Sequence, residues 1–324
     1  MSAKRKTMVF ALALIVVVGA TGVVVWQQFF QPEEAIAGPI SVVDDVGRNV
    51  TVTNYPPVRI VSLAPTCTYM LFALELESKM VGVDEFSGYP TEINERIQAG
   101  IEAGNLTTVG QYAGISIETV VGLEPDLILA AMRYQISIAE SLTGLGLPVL
   151  VLYPDNYDEV LADISLVGKV TGQIDEAEAL LVDIQKKANE IVDKTLDASR
   201  PRVYVEYSFN GGYQTFGGES FASELIYMAG GINVFSGYAG AYMATSTEEV
   251  LKANPEIIII SKGSMADAAG LTPETIRTRP GWSEIYAVQN DQIYEIEESI
   301  MSREGPRLIK GLEELAKIIH PDLF

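Results

Sequence analysis

The sequence predicts an α/β protein of two lobes, each with a mainly parallel sheet, joined by one long α-helix. Three observations support this prediction. Apolar strands alternate with helices over residues 40–152 and again over 201–324. A helix-to-strand segment occurs twice, and residues 157–198 contain no proline and read as helix. Alternating strands and helices are typical of parallel sheets covered by helices on both faces.

The repeated segment spans residues 116–130 and returns at 246–260, an offset of 130. Each copy begins with a serine suited to cap a short helix, passes through a Pro-acid turn and ends in an apolar strand. Each copy also places a glutamate, Glu118 or Glu248, at the same position of its helix. A repeat at this distance indicates two lobes of related construction.

Composition and charge restrict the function. The chain has 324 residues, 48% of them hydrophobic, and a formal net charge of -21. So acidic a chain lacks the positive surface that nucleic acid or an anionic membrane requires, and we predict neither as the main partner. The single Cys67 and the single His320 can form neither a disulfide nor a Cys/His zinc site. We therefore expect no cofactor and no metal held directly by side chains.

Residues 1–39 predict a cytoplasmic tip, a membrane segment and a tether. The basic cluster at 4–6 precedes an uncharged run at 8–26, whose 19 residues would make about 28 Å of helix, enough to cross a bilayer core. The basic side stays in the cytoplasm, so the remainder would be extracytoplasmic and tethered to the cell membrane. The alternative is a signal peptide cleaved near residue 37, which would release the protein. No cysteine lies near the run to carry a lipid.

The first lobe is assigned to residues 40–170. Its apolar and turn-rich segments predict, in order, two short strands within 40–53, a strand at 59–63, a helix at 67–76, a strand at 80–83, a helix at 90–99, the repeated segment, and a strand at 148–152.

The connecting helix is assigned to residues 171–200 and the second lobe to 201–324. Apolar residues recur at helical spacing along the connection, at Leu180, Leu181, Ile184, Ala188, Ile191 and Leu196. The alternative is an ordinary surface helix within one lobe. For the second lobe, the sequence predicts a strand at 203–207, a helix that stops at Gly230-Gly231, the second repeated segment, a strand at 292–296 and a final helix after 305–307 that ends at Ile319.

Short motifs distributed over residues 40–324 resemble one family when taken in order. They are Ser62-Leu63-Ala64-Pro65, Phe72-Ala73-Leu74, Val81-Gly82-Val83, Tyr89-Pro90, Val109-Gly110, Leu123-Glu124-Pro125-Asp126-Leu127, Arg279-Pro280-Gly281-Trp282, Gly305-Pro306-Arg307 and His320-Pro321. Their order and spacing resemble the iron-siderophore and cobalamin type of substrate-binding proteins of ABC importers, the class III periplasmic binding proteins. The resemblance implies two Rossmann-like lobes joined by a helix, with a metal chelate bound in the cleft between them.

In that family one acidic side chain on each lobe docks into basic pockets of the membrane permease, and the matching positions are Glu118 and Glu248. A glutamate in the first turn of a helix is stabilised by the helix dipole and can bind an arginine through both oxygens. The alternative is that both glutamates merely begin helices. Glu249 stands at the capping-box position after Ser246 and is predicted to be structural.

Candidate ligand contacts lie on loops that follow strands, where α/β sheets bind ligands. They are Phe86, Tyr112, Met132, Arg133, Tyr134, Tyr207, Tyr213, Tyr242 and Arg303. Aromatic rings with arginines at the rim suit a large organic chelate that carries negative charge, although any one tyrosine could simply be packing. The cobalamin binders of the family place tryptophans in the cleft, where this chain has Tyr112, Met132 and Tyr242. A ferric siderophore is therefore favoured, with cobalamin, another corrinoid or haem as the alternative.

Enzyme activity is not expected. The only histidine, His320, lies too near the end of the chain to suggest a couple with Cys67, and no GxGxxG or GxxxxGK[ST] motif follows a strand. An anchored adhesion or scaffold protein is an alternative of another class, but it leaves the repeated segments unexplained. We predict a monomeric substrate-binding component of an ABC importer, whose partners are the permease, its ATPase and, through the N-terminal segment, the membrane.

Overall fold

The computed structural model describes residues 38–88, 90–111, 114–131, 135–209, 212–302 and 304–324. The predicted anchor at 8–26 and the predicted cleavage position lie outside these residues. In the described part, no helix combines the length and the apolar character needed to span a bilayer. Contacts group Gly38–Phe324 into one unit that contains both lobes, and the predicted boundaries at 170 and 200 stay a prediction.

The first lobe is built on a parallel sheet. In chain order it contains β1 (Ile40–Val43), β2 (Asn49–Val52), β3 (Ile60–Ser62), α1 (Pro65–Ala73), β4 (Met80–Val83), α2 (Thr91–Glu102), β5 (Thr107–Thr108), β6 (Gly110–Gln111), β7 (Gly114–Ile115), α3 (Ile117–Gly122), β8 (Leu127–Ala131), α4 (Ile136–Gly144) and β9 (Val149–Leu152). The five-stranded sheet has the order β5-β4-β3-β8-β9, and its paired strands are parallel. The pairs β1-β2 and β6-β7 are separate antiparallel ribbons.

Two packed helices connect the lobes. They are α5 (Tyr157–Thr171) and α6 (Ile174–Thr195), and the second is the predicted connecting helix, about 33 Å long for its 22 residues. Gly172, with φ of 75°, ends α5 in the left-handed conformation. The predicted apolar face is confirmed at Ile184, Ala188 and Ile191, which are buried. The prediction that Leu196 belongs to this apolar face is wrong, because Leu196 follows the last turn of α6 and is 64% exposed.

The second lobe combines a parallel sheet with an antiparallel one. In chain order it contains β10 (Arg202–Glu206), β11 (Ser208–Phe209), β12 (Tyr213–Phe216), α7 (Phe221–Met228), β13 (Ile232–Asn233), β14 (Tyr242–Thr245), α8 (Thr247–Ala253), β15 (Ile257–Lys262), α9 (Ser264–Ala268), α10 (Pro273–Arg277), α11 (Tyr286–Gln289), β16 (Ile293–Glu297), α12 (Ser299–Ser302) and α13 (Leu308–Ile319). The parallel order is β13-β10-β15-β16, and β11-β12-β14 form the antiparallel sheet.

The repeated segment has the same hydrogen bonds in both lobes. The backbone N–H of Thr119 donates to Ser116 Oγ at 3.2 Å, and that of Glu249 donates to Ser246 Oγ at 3.3 Å. The turns that follow place Glu124 at φ 46° and Asn254 at φ 42°, again 130 residues apart. The predicted duplication is therefore confirmed in the geometry of the caps and turns.

An arginine ties each of these helices to its sheet. Arg59, just before β3, donates through Nε and Nη2 to the carbonyl oxygen of Leu123 at 3.0 and 2.7 Å. Arg202, at the start of β10, donates in the same way to Asn254 at 3.1 and 2.9 Å. Because the last carbonyls of a helix lack helical partners, a guanidinium there satisfies them and fixes the end of the helix.

Each lobe has its own hydrophobic core beneath the repeated helix. In the first lobe, Val120 of α3 packs into a cluster with Val61 and Ile128; in the second, Val250 of α8 packs with Tyr204 and Ile258. Both valines are fully buried, and burying such a side chain contributes roughly 1.5–3 kcal/mol. The two helices are thus held by equivalent apolar contacts.

The lobes also touch one another directly. The guanidinium of Arg307 lies over the ring of Tyr69, 5.5 Å from its centroid, and the N–H of Tyr157 donates to a carboxylate oxygen of Glu224 at 2.8 Å. The helix α6 packs along α5 and also contacts α13 of the second lobe. These contacts and the two connecting helices restrict how far the lobes can separate.

Candidate functional site

A cavity of about 430 Å³ lies at the carboxyl ends of strands from both lobes. Ala131 is the last residue of β8 and Leu152 the last of β9; Tyr207 directly follows β10, and Glu298 directly follows β16. The described lining consists of Thr66, Ala131, Leu152, Tyr153, Pro154, Asp155, Tyr207, Phe216, Glu219, Ser220, Phe221, Ala222, Ala241, Tyr242, Met265, Glu298, Met301 and Glu304. Ligands of open α/β sheets bind at this edge, and the volume is typical of a small-molecule site.

Three aromatic rings form a cluster on one wall of this cavity. The centroid of Tyr207 lies 5.1 Å from that of Phe216 and 6.0 Å from that of Tyr242, and the last two are 5.6 Å apart. The antiparallel sheet produces this cluster, because Phe216 on β12 is directly opposite Tyr242 on β14. Tyr242 is 56% exposed, so a ligand can reach its ring. Such a cluster offers both faces and edges of rings for stacking.

The described lining also contains carboxylic acids. They are Asp155, Glu219, Glu298 and Glu304. Burial raises the pKa of Glu304 to about 7, and the negative charge of Asp155 from the other lobe adds to this rise. A carboxylate oxygen of Glu219 accepts the N–H of Gly240 at 2.9 Å. Glu298 lies so close to Gly263 that a Cβ at position 263 would collide with its carboxylate.

The structure brings some of the predicted ligand contacts together. Tyr207 and Tyr242 both line the cavity. Phe86, 44% exposed, and Tyr213 are not among its lining residues. The other predicted contacts lie outside the described residues, namely Tyr112, Met132, Arg133, Tyr134 and Arg303. The ligand roles of the whole predicted set therefore stay a prediction.

Tyr213 takes part in a buried ion pair behind the aromatic wall. Arg279 donates to both carboxylate oxygens of Glu206, at 2.7 and 2.8 Å, and its guanidinium lies 4.3 Å from the ring centroid of Tyr213 and 4.2 Å from that of Trp282. Tyr204 also donates to Glu206, at 2.9 Å. This arrangement fixes the end of β10, immediately before Tyr207. Arg279 and Trp282 of the sequence motif therefore share one structural role, the support of this strand end.

Phe86 lies on a loop held by buried hydroxyl groups. Its N–H donates to a carboxylate oxygen of Asp84 at 2.8 Å, and the hydroxyl of Ser87 donates to the other oxygen of Asp84 and lies 2.7 Å from the hydroxyl oxygen of Thr68. Thr68 in turn bonds Ser62 at 2.7 Å. The network joins the ends of β3 and β4 to the first turn of α1.

Sequence reasoning missed several lining residues. Asp155 and Glu298 follow parallel strands, so the rule that ligands bind at carboxyl ends could have found them. Met265, three residues after the parallel strand β15, could have been found by the same rule, although the sequence did not predict the short helix α9 that carries it. Phe216 had no such indication, because it lies on the antiparallel strand β12.

The two candidate docking glutamates occupy equivalent positions. Glu118 and Glu248 are the second residues of α3 and α8, and both are exposed. Among the described residues neither forms an ion pair. The structural role predicted for Glu249 is confirmed, because its carboxylate accepts the N–H of Ser246 at 3.0 Å in a capping box.

Comparison with known proteins identifies the family. Residues 60–300 match the model of the periplasmic binding protein family. The chain belongs to that family. It is 30% identical over 293 residues to the uncharacterized ABC transporter substrate-binding lipoprotein YvrC of Bacillus subtilis, covering 88% of this chain and 87% of the relative.

Solved structures agree with the fold. The periplasmic vitamin B12 binding protein BtuF of Vibrio cholerae superposes with a TM-score of 0.67 at 25% identity, covering 82% of this chain and 98% of that one. A protein of an ABC-type Fe3+-hydroxamate transport system from Saccharomonospora viridis gives a TM-score of 0.68 at 22% identity, covering 86% and 98%. The predicted class III architecture is therefore confirmed.

Membership in the family also determines the class of function. The protein is the substrate-binding component of an ABC transporter, and the family binds small solutes outside the cytoplasm and is not a family of enzymes. Proteins of this kind work with a permease and an ATPase. This confirms the predicted transport receptor and gives no support to the adhesion or scaffold alternative.

Proposed function

We propose that the protein captures a metal chelate, with a ferric siderophore favoured, and delivers it to its permease. The observation that supports this most directly is the cavity at the strand ends, where the rings of Tyr207, Phe216 and Tyr242 offer apolar contact to an organic ligand. The chelate contacts the protein through its organic part, since the described residues contain no group of His, Cys, Asp or Glu side chains arranged to hold a metal ion. The protein itself would need no cofactor.

A corrinoid or haem is the second candidate. It is supported by relatives named vitamin B12-binding proteins, including one from Vibrio parahaemolyticus that is 25% identical over 271 residues. Both candidates are large metal chelates with extended organic surfaces, and both suit an aromatic wall.

Fluorescence quenching of the purified protein tests the ligand class. The panel is a ferric trihydroxamate, a ferric catecholate, haem and cobalamin. The Tyr242→Ala variant is expected to weaken binding of the true ligand about tenfold, the typical effect of removing an aromatic contact. The matched control is Tyr286→Ala, which removes another exposed tyrosine, on α11 and outside the described lining. Saturable binding of none of the four chelates refutes the proposal.

We infer that Glu118 and Glu248 are the two points read by the permease. Their support is the equivalent placement on α3 and α8, with each helix held to its sheet by an arginine. The Glu118→Ala/Glu248→Ala variant should bind ligand normally and lose uptake, because only the contact with the permease is removed. The control is Glu190→Ala/Asp193→Ala on α6, which removes the same charge from another exposed surface. Normal uptake by the first variant contradicts the docking role.

We further propose that residues 8–26 tether a monomer to the outer face of the cell membrane. The support is the uncharged run in the sequence and the lipoprotein name of the Bacillus subtilis relative. Mass spectrometry of protein extracted from membranes should find the N-terminal peptide intact, and size-exclusion chromatography with light scattering should give one chain per particle. A mature chain that starts near residue 38 in the medium would favour the cleaved form instead.

A further inference from the structure

In both lobes an arginine is hydrogen-bonded to the acid of the Pro-acid turn that follows the repeated helix. The carboxylate of Asp126 accepts the N–H of Arg59 at 3.0 Å, and the N–H of Asp126 donates to the carbonyl oxygen of Arg59 at 2.8 Å. Glu256 and Arg202 form the same two hydrogen bonds in the second lobe, again at 3.0 and 2.8 Å. We call each pair, Arg59 with Asp126 and Arg202 with Glu256, an acid–arginine clamp.

The two clamps are equivalent in space but not in sequence. Through Nε and Nη2, each guanidinium also donates twice to one carbonyl oxygen at the end of the repeated helix. Arg59 lies 67 positions before Asp126, whereas Arg202 lies 54 positions before Glu256, so the arginines do not belong to the segment that is repeated at a fixed offset. Both lobes therefore reach the same arrangement through connections of different length.

The repeated helices are too short to fix their own position. The helix α3 has six residues and α8 has seven, and an isolated helix of that length is unstable in water. Val120 and Val250 hold one side of each helix in the core, and the clamp holds the C-terminal end. Because α3 is only about 9 Å long, a shift at that end also moves Glu118 in its first turn.

We infer that the two clamps position Glu118 and Glu248 for simultaneous contact with the permease, which makes Arg59 and Arg202 positioning residues for docking. The inference rests on the docking role proposed for the two glutamates. A partner that binds two points gains from the second contact only when its own spacing matches that of the points. One glutamate stands on each lobe, so a displacement of either helix changes the spacing that the permease meets.

Binding of the full-length protein to its permease–ATPase complex, measured by surface plasmon resonance in detergent solution, tests this inference. Arg59→Lys keeps the positive charge but loses the planar group that donates through two nitrogens. The affinity for the complex should fall about tenfold, since the second contact is then poorly placed. The matched control is Arg96→Lys, which alters an exposed arginine of α2, ion-paired with Glu77 in the same lobe, and should change the affinity less than about twofold.

A double-mutant cycle distinguishes positioning from general destabilisation. Glu118→Gln and Glu248→Gln each weaken one contact, and correct spacing is worth less when one of the two contacts is weak. In either of these backgrounds the cost of Arg59→Lys should shrink from about tenfold to about twofold. A merely structural role would instead give the same cost in every background. Arg202→Lys repeats the comparison from the second lobe and should give the same pattern.

The outcomes separate the failure of docking from the failure of positioning. If the two glutamine variants bind the complex as tightly as the unchanged protein does, the docking role is refuted and the inference falls with it. If they bind more weakly but both lysine variants bind normally, the clamps do not position the glutamates and the docking role stands. An equal cost of Arg59→Lys and Arg202→Lys in all backgrounds also overturns the inference and leaves the docking role intact.

Discussion

The carboxyl group of Asp163 lowers the stability of the fold at neutral pH, and its replacement by asparagine should reveal by how much. Asp163 lies on α5, is 2% exposed and shares a hydrogen bond with Asp45. Its Oδ2 has no hydrogen-bond partner among the described residues. Asp45 already accepts the N–H of Tyr153 at 2.5 Å and stays on the solvent side of the pair.

Burial, the charge of Asp45 and the hydrogen bond to it raise the pKa of Asp163 from 3.8 to about 9. The folded protein therefore keeps a proton that the unfolded chain releases above pH 4. Below that pH both states hold the proton, and Asp163 costs no stability. Above it the free energy of unfolding falls by about 1.4 kcal/mol per pH unit as the pH rises toward 9. At pH 7 the loss is on the order of 4 kcal/mol as an upper bound, because structural relaxation reduces such shifts.

Asp163→Asn removes the titration and retains a donor, since the amide N–H can bond the carboxylate of Asp45. We expect the free energy of unfolding at pH 8 to rise by roughly 2–4 kcal/mol, with little change at pH 4. Urea unfolding followed by the fluorescence of the fully buried Trp282 measures it. Asp193→Asn, an exposed position on α6, is the control and should change stability little at either pH. The reasoning is refuted if Asp163→Asn raises the free energy of unfolding equally at pH 4 and pH 8, or lowers it at pH 8.

Three further predictions concern packing and the cavity. Arg279→Lys should cost roughly 3–5 kcal/mol in urea unfolding, because lysine cannot bond both oxygens of the buried Glu206; a cost below that of a surface substitution would contradict this. Gly168→Ala should destabilise the α5-α6 contact by more than about 1 kcal/mol, since its Cβ would meet Ala177 and lie 2.9 Å from the carbonyl oxygen of Gln173; unchanged thermal stability would contradict it. Affinity for a positively charged chelate, such as a ferric trihydroxamate with a free terminal amine, should weaken from pH 8 to pH 6, because the pKa of Glu304 in the cavity lining is about 7 and its negative charge is lost on acidification; Glu304→Gln should flatten this pH profile, and an unchanged or steeper profile in that variant would count against the assignment.

Much of the fold could be predicted because local physics decides it. The serines at 116 and 246, the Pro-acid turns and the apolar strands after them act over a few residues, and the structure has caps, turns and strands at those places. The connecting helix was predictable for the same reason, since its apolar face recurs every three or four residues along α6. The prediction for Leu196 was wrong because apolar periodicity does not indicate which turn of a helix is the last.

The site was predictable only in part. Tyr207 and Tyr242 follow or begin strands at the edge where ligands bind, and both line the cavity. The positions of Phe216 and of the acidic lining residues depend on contacts between segments that are distant in the sequence. Successive side chains of β12 point to opposite faces of its sheet, and Tyr213 lies on the face that contacts Trp282. No local pattern in the sequence distinguishes that face from the one that lines the cavity.

By itself, the sequence determined that two similar α/β lobes exist, that a helix joins them, and that each carries an equivalent glutamate on a capped helix. These follow from interactions between neighbours along the chain. The tertiary structure alone decided which of the described residues line the cavity. Asp155 and Glu304 are 149 positions apart, and only the packing of one lobe against the other brings their carboxyl groups close enough to shift a pKa. Electrostatic energy depends on distance in space, and the order of residues does not contain that distance.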